Sequence, residues 1–171
     1  MARTVIRNGS QLRHSTLLIG KGRTKPSLSA DYIVGLTDGE GCFYVNVWNT
    51  PTYRAGAGVQ IHFHIKLSEK DRELLEIVRD TLGCGAVYFQ KETRVNHTQC
   101  YRYTVSSQRD ITQKIIPFFQ KHPLQLPSKR SSFETFCQIA QLIQNKRHLT
   151  KGGVEEIRAL KETMNKRVGL A

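Results

Sequence analysis

Val59-Gln60-Ile61-His62-Phe63-His64-Ile65-Lys66-Leu67 alternates without a break: every odd-numbered residue is apolar and every even-numbered one is polar. Side chains of a strand point alternately to its two faces, so this period of two predicts a half-buried antiparallel strand. Immediately upstream, Phe43-Tyr44-Val45-Asn46-Val47-Trp48 repeats the pattern, and the link Thr50–Gly58 carries Pro51, Gly56 and Gly58, as a hairpin loop does. Before this pair, Ser29 is placed to cap a short helix over Asp31–Gly39. After it, Ser68 reads as a second cap, followed by Glu69, Asp71 and Glu73 in the first turn. Leu74, Leu75, Ile77, Val78 and Leu82 then line one face, and Gly83 and Gly85 end the helix.

Two further strands are predicted at about Ala86–Lys91 and Gln99–Ser106, then a third helix from Gln108 to Lys121 that Pro117 breaks or kinks. Ser128 is placed to cap a fourth helix, Lys129–Asn145, and Val154–Lys166 forms a last amphipathic segment. The order is α-β-β-α-β-β-α with helices added at the end. This predicts an α+β fold, one four-stranded antiparallel sheet with helices packed on one face.

A chain of 171 residues suits one domain with a real core. Lys and Arg number 26 against 14 Asp and Glu, a net charge of +12. That surplus creates a positive field that draws polyanions, nucleic acid first and an anionic membrane surface second. No apolar stretch reaches the roughly 18 residues a membrane span needs. Cys42, Cys84, Cys100 and Cys137 lack the close pairing of a zinc site and read as free thiols in a reducing, intracellular compartment.

The domain is placed at residues 29–171, behind a basic, flexible tail of residues 1–28 that contains no acid and carries Arg3, Arg7, Arg13, Lys21, Arg23 and Lys25. The composition suits an organellar transit peptide, a DNA-gripping arm or a tail without a role, and the sequence leaves these open.

With the apolar positions turned inward, the outer sheet face carries Tyr44, Asn46, Trp48, Gln60, His62, His64, Lys66, Tyr88, Gln90, Arg102 and Thr104. These are hydrogen-bonding groups suited to base edges and phosphates, and the first acid, Glu92, comes only near a strand end. A curved ribbon of this kind lies in a major groove. An RNA-stacking platform built on Tyr44, Trp48 and Tyr88 ranks lower, because the basic-Gly-aromatic signature of such sheets is missing. A zinc site on His62 and His64 also ranks below base or phosphate contact, because no third ligand stands at a suitable spacing.

The sharpest local signal is Ile33-Val34-Gly35-Leu36-Thr37-Asp38-Gly39-Glu40-Gly41. Gly35 inside a helix costs about 1 kcal/mol relative to Ala, which makes sense where another backbone comes close. Gly39 and Gly41 are expected to let the chain turn sharply out of the helix. Two acids at a helix C-terminus face the negative end of its dipole, a placement that a divalent cation offsets. A tight Asp-Gly turn before a strand reads these nine residues equally well.

This stretch resembles the motif of the LAGLIDADG homing endonucleases: Gly35, Asp38 and Gly41 keep the family's letters, and Val34, Thr37, Gly39 and Glu40 are replacements it uses. The element order, the basic charge, and segments such as Ile115-Ile116-Pro117-Phe118-Phe119 and His148-Leu149-Thr150-Lys151-Gly152-Gly153 extend the likeness over roughly residues 30–168.

The resemblance implies that the motif helix packs against its counterpart through Ile33, Gly35, Leu36 and Gly39. Glu40 would bind Mg²⁺, or another divalent cation such as Mn²⁺, with help from the Gly39 carbonyl, and Asp38 would help end the helix and organise the turn, standing second to Glu40 at the catalytic end. It also implies a catalytic lysine, assigned to Lys129, with Arg130 beside it as a DNA contact. One motif makes half a site, so the expected form is a homodimer on a long pseudo-palindromic duplex, cutting both strands with short 3′ overhangs. A polar residue that the family places near the end of the second strand is replaced here by Leu67, with Ser68 next and Arg72 as an outer candidate. The competing class is an intron RNA maturase or a non-cleaving DNA-binding protein of the same fold, so the chain's own intron RNA stands as a second partner. The expected place of action is an organelle, mitochondrion or chloroplast, or a bacterial cytoplasm.

Overall fold

The computed structural model describes residues 26–93 and 97–165. Residues 1–25 of the expected basic tail lie outside the described residues. The first element among the described residues is α1 (Ala30–Glu40), capped by Ser29, whose hydroxyl accepts from Tyr32 N. It runs directly into β1 (Gly41–Asn49), which pairs antiparallel with β2 (Ala57–Ser68). Ser68 caps the 3-10 turn Glu69–Asp71 by accepting from Lys70 N, and α2 (Arg72–Leu82) follows. Gly83 ends α2 in the left-handed conformation at φ 66°, as expected of a glycine at that position.

β3 (Ala86–Gln90) and β4 (Cys100–Val105) complete a four-stranded antiparallel sheet in the order β1-β2-β4-β3. The alternation of β2 is realised as read: Ile61, Phe63 and Ile65 are buried, and the even-numbered residues between them are not. The inner face carries an aromatic core in which Phe43 packs against Phe63, Phe119, Phe133 and Phe136, with ring centroids 5.1–5.5 Å apart.

The helical run from Gln108 to Lys121 has its expected ends but not a break at Pro117. It comprises α3 (Gln108–Asp110), a wider π turn over Ile111–Ile115, and α4 (Ile116–Lys121), where Pro117 sits in the first turn. Proline lacks an N–H and its ring crowds the carbonyl one turn back, and the π turn ahead of it opens that space. The fourth helix, α5 (Pro127–Gln144), also differs. Pro127 opens it, Leu126 occupies the cap position, and Ser128 lies inside the first turn instead of capping. The last helix, α6 (Lys151–Asn165), starts a turn earlier than its apolar pattern suggests, because the Thr150 hydroxyl accepts from Gly153 N.

Candidate nucleic-acid interface and carboxylate site

The helix α1 carries two different sides. Ile33, Val34, Thr37 and Asp38 are buried in the chain's own core. Tyr32, Gly35 and Gly39 are exposed and Leu36 half-exposed, at the i, i+3, i+4, i+7 spacing of one helix stripe. A Cβ added at Gly35 or Gly39 would meet nothing within 4 Å. Ile33, expected at a helix–helix contact, is a correction: it is 0% exposed and packs inward. Tyr32, which the sequence reading passed over, occupies its place on the outer stripe.

The two acids of the motif part company. Asp38 is only 8% exposed, and its Oδ2 accepts from Gln125 N at 2.9 Å. It therefore ties the end of α1 to the loop before α5, while its Oδ1 is buried with no hydrogen-bond partner among the described residues. Glu40 is exposed and has no hydrogen bond or ion pair among the described residues. Gly41 is in extended backbone at φ −78°, so it makes no left-handed turn. Its glycine is needed for room, since a Cβ there would stand 2.6 Å from Thr37 Cγ2 and 2.7 Å from Thr37 O. That close approach lets the strand leave the helix with no loop between them.

Lys129, in the first turn of α5, reaches this junction: its Nζ donates to the Gly41 carbonyl. Arg130 departs from expectation. Its Nε and Nη2 both donate to Leu124 O, at 3.1 and 2.8 Å, so the guanidinium clasps the loop that carries Gln125. Arg72 pairs with Glu76 and lies over the Tyr101 ring, and the Ser68 hydroxyl is engaged as a cap.

All the expected outer-face residues stand on the side of the sheet away from the core. Tyr44, His62, His64, Arg102 and Thr104 line one shallow basin together with Cys42, which the sequence reading missed although it shares the parity of Tyr44. The register sets Cys42 opposite His64 and His64 opposite Thr104, and in the next row Lys66 opposite Arg102 and Arg102 opposite Tyr88. Asn46 pairs with Gln60 and Trp48 with Gly58, towards the end of the hairpin far from Glu40. Gln90 pairs with Cys100 at the opposite corner.

Glu92 does reach this face, with its carboxylate 3.7 Å from Lys66 Nζ. Partial burial, then the charge of Arg102, lowers the His62 pKa. Burial, then Arg102, His62 and Lys129, lower that of His64 to about 4. Both imidazoles are therefore neutral near pH 7, each with one donor and one acceptor. Burial pushes the Cys42 thiol up, against the pull of Lys129 and Arg102.

Among the described residues no three His, Cys, Asp or Glu side chains gather into a metal cluster, and the four cysteines are free thiols. No described helix is long and apolar enough to cross a membrane.

A family model described as LAGLIDADG endonuclease matches residues 33–140. Probable intron-encoded endonuclease 2 of Neurospora crassa is 32% identical over 162 residues, which is 93% of this chain and 34% of that protein. The chain thus spans about a third of the length of that relative. The crystal structure of the homing endonuclease I-TnaI matches with a TM-score of 0.72 at 34% identity, over 82% of this chain and 90% of that one. The LAGLIDADG homing endonuclease I-SmaMI bound to cleaved DNA matches with a TM-score of 0.73 at 34% identity, over 80% of this chain and 44% of that one. I-SmaMI bound to an uncleaved DNA target with calcium ions matches with a TM-score of 0.74 at 30% identity, over 84% and 47%.

Proposed function

The chain belongs to the LAGLIDADG endonuclease family, and from that premise we propose that it is a site-specific DNA endonuclease. It works as a homodimer on a long pseudo-palindromic duplex and hydrolyses one phosphodiester per strand with a divalent cation, leaving short 3′ overhangs. The observation that carries this reading is the fate of Glu40: an exposed carboxylate without a partner among the described residues, held at the negative end of a helix dipole, next in sequence to the Gly41 carbonyl that Lys129 holds. Stability alone gives no reason for that placement.

The donor chemistry fits a hard cation. Glu40 supplies carboxylate oxygen, and Gly39 lies in the last helical turn, where carbonyls have no intrahelical partner. Oxygen donors of this kind suit Mg²⁺, with Mn²⁺ as a substitute. Glu40 would hold the cation at the helix end, and a cation there would supply activation of a water and stabilisation of the leaving 3′ oxygen. Lys129, anchored at the Gly41 carbonyl, carries positive charge to the phosphate. The sheet face binds and orients the duplex.

The outer stripe of α1 supports a dimer, because its two glycines leave room for a second backbone at close range. The intron-encoded relative supports an organelle as the place of action.

The test is a cleavage selection on a library of long, roughly palindromic duplexes with Mg²⁺, with EDTA, and with Glu40→Gln. The expected result is one recovered site whose cutting needs the metal. Glu40→Gln should slow it at least about a hundredfold while binding persists, since a catalytic cation stabilises the transition state by several kcal/mol. Cutting that survives Glu40→Gln would remove Glu40 from the site. Tight binding with no cutting by the unaltered chain would move the assignment to a non-cleaving protein or an RNA maturase.

A further inference from the structure

Arg102 occupies a special place on the sheet. It lies on β4, an interior strand with β2 on one side and β3 on the other, and it sits in the basin with Cys42, Tyr44, His62, His64 and Thr104. None of those neighbours is an acid. Lys66, the other cation of its row, has Glu92 within 3.7 Å. Arg102 has no hydrogen bond or ion pair among the described residues, and even its buried Nε lacks an acceptor. Its donors are therefore uncommitted among the described residues.

An unpaired, partly desolvated guanidinium is costly to keep, and the cost is recovered when a matched pair of acceptors arrives. Arg130, by contrast, commits two of its donors to Leu124 O. On a sheet laid into a major groove, side chains that reach base edges carry the specificity, while contacts to phosphates only position the protein. Of the four base-pair orientations, only the guanine edge presents two acceptors side by side, O6 and N7, in the spacing of an arginine fork. Adenine offers an acceptor beside a donor, and that donor would repel the guanidinium.

We infer that Arg102 reads a guanine through the major groove, so that in the homodimer each half-site carries one obligatory guanine at symmetry-related positions. The neutral imidazoles of His62 and His64 flank this contact and read adjoining bases as donor or acceptor, while Lys66 and Glu92 border it. This inference rests on the DNA-cutting reading of the same face and adds the identity of the base.

The experiment compares the base preferences of the unaltered chain and of Arg102→Gln, measured by selection of bound duplexes in Ca²⁺. A second arm uses the selected site with that guanine replaced by 7-deazaguanine or by inosine. The unaltered chain is expected to require guanine at one position per half-site. Arg102→Gln should lose that requirement, shifting the preference roughly 5- to 150-fold, the discrimination typical of one bidentate pair. The 7-deazaguanine site lacks the N7 acceptor and should bind weakly, whereas inosine keeps O6 and N7 and should bind normally. The modified-base arm uses the unaltered protein, so it holds even where the variant folds poorly. An unchanged preference in Arg102→Gln, or full affinity for 7-deazaguanine, would overturn the guanine assignment and leave the endonuclease reading standing. Failure of the unaltered chain to bind any duplex would overturn the endonuclease reading and the guanine assignment with it.

Discussion

The inner and outer sides of α1 are made from the same eleven residues and obey different requirements. On the inner side Ile33, Val34 and Thr37 pack into the core, and Asp38 spends one carboxylate oxygen on Gln125 N. On the outer side Tyr32, Gly35, Leu36 and Gly39 present a surface with two glycines, and Glu40 has no partner among the described residues. Asp38 and Glu40 are two positions apart, which is about 200° around a helix at 3.6 residues per turn. That rotation sends one acid into the protein and the other out of it. The inner side accounts for why the helix folds, whereas the outer side has no account within a single chain.

The sharpest break of this comparison is Ile33→Ala, expected to cost about 2–5 kcal/mol of stability in urea unfolding, as for other fully buried aliphatic residues. A loss below about 0.5 kcal/mol, together with weakened dimerisation, would return Ile33 to the interface. Asp38→Ala comes next. It strands the Gln125 N–H and should lower stability by about 1–3 kcal/mol, while Glu40→Gln leaves the unfolding curve nearly unchanged. Equal stability losses at the two acids would erase the distinction between them.

Gly35→Ala should act with opposite signs on the two levels. The added methyl meets nothing in the single chain and improves helix propensity by up to about 1 kcal/mol, yet it should weaken self-association in sedimentation. A variant that is both more stable and as strongly dimeric would exclude close backbone packing there.

The smallest effect extends the comparison to the sheet. His64 titrates near 4 in the fold and near 6.5 when unfolded, so the unfolded chain takes up the proton first. Stability should therefore fall as the pH drops from about 6.5 towards 4, and His64→Gln should flatten part of that slope. A slope identical in the variant would mean that the imidazole is solvated in the fold.

The strands and the first two helices were legible because a period of two and a period of 3.6 are local properties of the chain. Ile61, Phe63 and Ile65 declared their burial without reference to anything distant. The π turn at Ile111–Ile115 was not legible, because it answers a crowding problem that Pro117 creates one turn earlier. The same holds for Arg130. Its composition suits DNA, and only the path of the loop at Leu124 gives it a carbonyl to hold. Ile33 and Asp38 face inward for a different reason: the helical period divides the motif into an inward half that holds them and an outward half that holds Gly35, Gly39 and Glu40. Cys42 carried its signal in plain view, two residues before Tyr44 on the same face of β1.

The missing loop between Glu40 and Gly41 has a mechanical meaning. α1 ends at one residue and β1 begins at the next, and the strand then runs from Gly41 to Trp48 along the outer face, roughly 24 Å at 3.4 Å per residue. On the proposed reading, the group that would mark the cut and the groups that would check the letters are mounted on one continuous segment with no loop between them. Such a device behaves as a ruler. It has little slack with which to cut a few steps early or late, so a target with one base pair inserted between the checked letters and the cut is expected to be refused.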